Sequence, residues 1–147
     1  MKYRPIVLLL IVLLASQCSQ KESVVAPKIA SLIGTWKLID PDSPYDVTLT
    51  FEYDSANPPH DITPFLASGK APVNIYTLRL FATLDGMLVA DNLASTYVSG
   101  SPEATAFEQA YLTNLKAVVR YDVTPDDYLR VYHAGAQPHV MVYKRMN

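Results

Sequence analysis

Residues 95–115, STYVSGSPEATAFEQAYLTNL, are the one clearly helical stretch in a chain that otherwise patterns as strands, and that limits its choice of fold most. A lone amphipathic helix has nowhere to bury its apolar stripe except against a sheet. Ser101 is placed to cap it, since its hydroxyl can accept from an orphan N–H of the first turn. Pro102 then falls at the first helical position, where its missing N–H costs nothing, and Glu103 favours the positive end of the helix dipole. Ala104 stands where a capping box would want Glu, so the box is incomplete. Ala104, Phe107, Tyr111, Leu115 and Val118 recur at steps of three and four and make the apolar stripe, with Gln109, Thr113 and Lys116 opposite. Glu108 and Asn114 flank the stripe and are expected at its solvated edge. The alternative for Glu108 is a reach to a buried backbone N–H or a cation at the helix–sheet seam.

On either side of this helix the pattern changes to a period of two. Residues 28–33 suit a short helical turn ending at Gly34, and residues 35–39 read as a first strand stopped by Pro41 and Pro44. In residues 46–53, Val47, Leu49, Phe51 and Tyr53 alternate with polar residues, as in a half-buried antiparallel strand. Further strands are expected at 73–83, 87–90, 93–98, 117–123, 128–133 and 140–145, with Asp85-Gly86 as a hairpin turn. Residues 54–72 carry Pro58, Pro59, Pro64 and Pro72. They leave two options, a helical turn at 62–67 packed on the core or a functional loop. In the second case Pro58, Pro59, His60, Asp61 and Phe65 are the candidate partner-contact residues. The expected fold is α+β, about eight mostly antiparallel strands in a strongly curved, barrel-like sheet with one helix packed against it.

The 147 residues allow one domain and a tail. Lys2 and Arg4 precede an apolar run from Ile6 to Ala15 that is too short to span a bilayer, so residues 1–17 have the build of a signal peptide. The remainder carries ten Lys or Arg against fourteen Asp or Glu, a formal −4. No basic block suggests nucleic acid, and no acidic spacing suggests a calcium loop. Cys18 is the sole cysteine, so no intramolecular disulfide can form. Its place after the apolar run resembles the lipobox of bacterial lipoproteins, although Ala15 and Gln17 stand where that motif favours a Leu-like and a small residue. The expectation is lipidation at Cys18, a tether through residue 27, and a folded domain at 28–147 on the outer membrane, periplasmic or surface-facing. Ordinary signal cleavage with Cys18 left free or removed is the alternative.

In chain order, Leu32-Ile33-Gly34-Thr35-Trp36, Val47 to Phe51, and Gly69 followed by Val73-Asn74-Ile75-Tyr76 resemble the opening blocks of the META-domain (HslJ-like) family. Leu93, Ser95, Thr96, then Gly100 to Ala104 and Glu108 resemble its threonine-then-helix block. Tyr128-Leu129 and Met141-Val142-Tyr143 resemble its closing hairpin. The resemblance covers residues 32–146. Many relatives carry cysteines where Val73 and Gly100 stand here, so no redox role transfers. The resemblance implies a curved antiparallel sheet with a helix packed on it, no established catalytic residue and no obligatory cofactor. It ties the chain loosely to stress response and envelope integrity.

Residue types add little chemistry. His133 and His139 bracket the last hairpin turn and would need Asp127 or His60 as a third metal ligand, so ordinary surface histidines are expected and no metal. His60-Asp61 lacks a nucleophile motif, and no Gly-rich loop precedes a helix. The tyrosines are expected as core and cross-strand packing, and Trp36 as a core aromatic. No catalytic residue or cofactor is assigned. The first functional expectation is a monomeric, non-enzymatic, lipid-anchored envelope protein acting through contacts with an envelope partner. The second is a lipocalin-like carrier of a small apolar ligand, suggested by Gly34-x-Trp36 and the strand count. Lipocalins place their helix after the barrel strands, whereas three strands follow it here. A small hydrolase has no support in the residues.

Overall fold

The computed structural model describes residues 25–57, 61–134 and 139–147. A short helix α1 (Pro27–Ala30) leads into β1 (Gly34–Asp40), β2 (Thr48–Tyr53), β3 (Ile62–Lys70), β4 (Ile75–Thr83) and β5 (Leu88–Ser95). Helix α2 (Pro102–Lys116) follows, then β6 (Val118–Val123), β7 (Tyr128–His133) and β8 (Val140–Arg145). The strands form one antiparallel sheet in the order β5-β4-β3-β2-β1-β8-β7-β6. Sequence neighbours pair within β1–β5 and within β6–β8, and β1 against β8 brings the two halves together. The outer strands meet at Met87 opposite Arg120, where Tyr121 N–H donates to Gly86 C=O at 2.8 Å. The sheet is therefore a nearly closed barrel, α+β and antiparallel as expected.

Antiparallel connection sorts the loops into two ends. The β1–β2 and β3–β4 connections share the upper end with the segment leading from β5 into α2, which lies across that end. Its Phe107 ring is 5.4 Å from Tyr45 of the β1–β2 connection. The β4–β5 and β6–β7 turns share the lower end with α1, whose Lys28 Nζ lies 5.7 Å above the Tyr121 ring. Between the two ends, Trp36, Leu49, Phe51, Phe65, Leu80, Leu129 and Tyr143 are fully buried and fill the interior. Trp36 is a core aromatic, its indole N–H donating to Leu32 C=O at 2.8 Å.

Three sequence expectations need correction. Residues 62–70 form neither a helical turn nor a loop but a nine-residue interior strand, β3, paired with β2 and β4. Pro64 is tolerated there for a local reason. Its carbonyl accepts from Asp54 N–H at 3.3 Å, so its missing N–H faces the same side, where β2 has already ended. The strands expected at 87–90 and 93–98 are one strand, β5, ending at Ser95. Asn92 (φ 52°) interrupts its alternation beside a register shift opposite Thr77 and Arg79. Tyr53, expected inward, is partly exposed and stacks on Phe65 at 5.5 Å.

Candidate functional site

Helix α2 begins as its sequence dictates, with Ser101 accepting from Ala104 N–H at 3.2 Å. Its buried face is Ala104, Glu108, Tyr111 and Leu115, while Phe107 is only partly buried. Glu108 thus belongs to the stripe and does not flank it. It is 6% exposed, and the reason lies in β-structure more than thirty positions away. The turn between β3 and β4 offers it two backbone donors, Val73 N–H at 2.9 Å and Asn74 N–H at 2.8 Å. Asn74 adds its side-chain amide to the other carboxylate oxygen at 2.6 Å.

Asn74 then carries the connection outward. Its Oδ1 accepts from Thr96 Oγ1 and from Val98 N–H, each at 2.8 Å, and its Nδ2 also donates to Val98 C=O at 3.2 Å. Thr96 Oγ1 accepts from Ile75 N–H at 3.3 Å. One buried amide and one buried carboxylate therefore staple the β3–β4 turn, the segment leaving β5, and α2 together. Among the described residues no ion pair includes Glu108. Burial alone would raise its carboxyl, but the Asn74 amide and the two backbone N–H groups outweigh burial and hold it below the usual glutamate value. A carboxylate so occupied is an acceptor with no proton to exchange, and it works as a clamp.

Below the clamp, three phenols meet. Tyr76 of β4 and Tyr111 of α2 share a hydrogen bond at 2.6 Å, Tyr143 of β8 donates to Tyr111 at 3.3 Å, and Tyr76 also donates to Thr48 C=O at 2.6 Å. Burial is the main cause that lifts all three far above the ordinary tyrosine range. Gly69 makes room for this contact. A Cβ there would fall 2.0 Å from Thr48 O and 2.4 Å from the Tyr76 hydroxyl. Gly100 is close-packed too, against a side chain, since a Cβ on it would lie 2.4 Å from Val73 Cγ2 and 3.4 Å from Val73 Cβ.

Above the clamp an open groove of about 490 Å³ runs between α2 and residues 95–100, with Asn74 and Glu108 in its floor and Ala106, Gln109 and Leu112 on its helical wall. Tyr97 and Val98 stand exposed at its rim. The groove follows from the clamp, because the Asn74 bonds to Thr96 and Val98 hold its outer wall.

The residues singled out from sequence lie elsewhere. Cys18, Pro58, Pro59 and His60 fall outside the described residues. Asp61 is exposed at the entrance to β3. Phe65 is fully buried, edge-on to Phe51 at 5.6 Å, and is corrected from a contact residue to a core residue. His133 and His139 are neighbours, with ring centroids 6.2 Å apart and His133 N–H donating to His139 C=O at 2.9 Å. His133 is buried, contrary to the surface expectation, because its side chain faces inward at the end of β7. Asp127 lies at the opposite end of β7, paired with Arg145 at 3.0 Å. Among the described residues no group of three or more His, Cys, Asp or Glu side chains is placed to hold a metal ion. Asn74, missed as a site residue, is visible only as the Asn of the Gly69–Tyr76 block. Glu108 is visible in the spacing 104, 108, 111, 115, which is the spacing of a buried stripe.

The sequence matches no family model and no curated protein. A solved NMR structure, of a protein from Burkholderia xenovorans, has a similar fold. Its TM-score is 0.58 at 20% identity, over 87% of this chain and 97% of that one. At that identity the likeness extends to the fold alone.

Proposed function

We propose that the chain is a lipid-anchored, non-enzymatic cell-envelope protein of the META-domain type, held on the outer membrane through Cys18 and acting in envelope maintenance or stress response through protein contacts. One observation carries the family reading. Gly69, Asn74, Tyr76, Thr96 and Glu108, residues of its resemblance blocks, are dispersed over forty positions and yet gather where α2 meets the sheet, with Glu108, Asn74 and Thr96 in one hydrogen-bonded chain and Gly69 packed against Tyr76. The two places where many relatives carry cysteine, 73 and 100, also touch. The spacing of 3.4 Å from Val73 Cβ to a Cβ built on Gly100 is close to that of a disulfide. The non-enzymatic reading draws on the state of Glu108, whose two oxygens accept three hydrogen bonds from Val73 and Asn74. The contact surface offered is the groove with Tyr97 and Val98 at its rim.

Two measurements test this reading. Metabolic labelling with a fatty-acid probe should tag the wild type and leave Cys18→Ala untagged, and label persisting in the variant would rule the anchor out. Cells lacking the protein should become more permeable to large antibiotics under heat stress, with rescue by the wild type and not by Cys18→Ala. Unchanged permeability would remove the envelope role.

The carrier reading has one observation in its favour, the nearly closed eight-strand barrel with α1 and Trp36 at its lower end. Against it stand the aromatic side chains that occupy the interior. An apolar ligand copurifying in native mass spectra would favour the carrier over the first reading.

A further inference from the structure

We infer that the lower end of the barrel is a bilayer-contacting face, on which the β4–β5 turn rests against the phospholipid surface. The proposal rests on the lipid-anchor reading above and extends it to an orientation. The chain enters the barrel at this end. Val25 packs against the core, and Ile29 of α1 is buried in it. Six residues lie between Cys18 and Val25, and covalent geometry lets the seven steps from one to the other span at most about 25 Å. An acyl group on Cys18 therefore keeps this end of the barrel near the membrane.

The same end carries what an interfacial contact needs. Leu84 and Met87 are exposed on the β4–β5 turn, and Val89 continues the apolar stripe onto the outer face of β5. Lys28 and Arg120 converge on that turn from two other elements, their Nζ and Nε lying 3.5 and 3.9 Å from the position of a Cβ built on Gly86. Asp85 is the carboxylate of the turn, engaged by the Thr83 hydroxyl. Apolar side chains flanked by cations suit the boundary between acyl chains and anionic headgroups. Seated this way, α2 and its groove point away from the membrane, toward soluble partners.

The test uses the full chain, purified from membranes and reconstituted into vesicles of phosphatidylethanolamine and phosphatidylglycerol with brominated acyl chains. A fluorescent amino acid is placed at Leu84, at Met87 or at Thr113, an exposed position of α2 at the other end. Quenching by the brominated chains should be about threefold greater at 84 and 87 than at 113, because interfacial side chains reach roughly 5–10 Å below the surface. Replacing Lys28 and Arg120 together by Ser should reduce that difference, since both cations face anionic headgroups. Equal quenching at all three positions, or more at 113, overturns the face. Mass spectrometry of the same sample reports acylation of Cys18 separately. Acylated protein without selective quenching leaves the anchor standing and removes the face. Selective quenching without acylation supports the face and removes the lipid anchor. If neither is seen, both fall.

Discussion

The two ends of the barrel are closed by the same device with opposite charge. At the upper end α2 brings the carboxylate of Glu108 to the N–H groups of Val73 and Asn74. At the lower end Arg145 donates to the carbonyls of Ile33 at 2.8 Å and Ser31 at 2.6 Å, behind α1. Each side chain satisfies backbone groups that would otherwise be left at a helix or turn end. The surroundings differ. Arg145 keeps contact with solvent, has Asp127 at 3.0 Å as a counter-charge, and lies 4.1 Å above the Trp36 ring. Glu108 lies nearly buried in the floor of the groove and is balanced by dipoles. A solvated, paired charge can be lost cheaply, whereas loss of a buried acceptor strands every donor aimed at it.

The largest expected effect follows. Glu108→Ala should destabilise the fold by about 4 kcal/mol in urea unfolding, because three donors lose their acceptor. A cost below about 1 kcal/mol would mean that water replaces the carboxylate, and the contrast between the ends would disappear. Second in size is a gain. Val73→Cys with Gly100→Cys, in a Cys18→Ser background, should oxidise spontaneously and add about 3 kcal/mol of stability by closing a loop of this length. Free thiols persisting under oxidation, read by mass, would break the claimed contact of 73 with 100. Arg145→Ala should cost less, about 2 kcal/mol, since the guanidinium is partly solvated and what is lost is its carbonyl contacts, its stacking and a solvent-screened pair with Asp127. If it costs more than Glu108→Ala, the ranking of the two ends is reversed.

The smallest effects are pH-dependent. Glu108 is depressed in the folded protein, so its contribution is present above the ordinary carboxyl value of 4.5 and is lost as pH falls below it. Glu108→Gln should therefore flatten the acid limb of the stability curve, and an unchanged limb would assign it to other carboxylates such as Asp54. Tyr76, Tyr111 and Tyr143 have raised values, so their stabilisation holds below 10 and would be lost only as pH rises well beyond it. Spectrophotometric titration should leave these three tyrosines un-ionised until the protein unfolds.

Local signals alone were enough for α2, its Ser101 cap, the Asp85-Gly86 turn and the last two strands. Each depends on side chains within a few positions of one another, so spacing reports them directly. The expected count of about eight strands agrees with the barrel through two offsetting errors, β3 missed and β5 divided in two. Three prolines on the approach to residue 65 argued against a strand, and only the end of β2 made room for Pro64. Phe65 became a core residue by the same pairing, so the contact role drawn from its proline-rich setting lapsed.

Glu108 is the sharpest case of the division. From sequence, its place on the helix was determined, and so was the ordinary cost of burying a carboxylate. Tertiary structure alone decided its burial, because the donors that offset that cost belong to a turn thirty-five positions earlier and face it only once β4 and α2 pack.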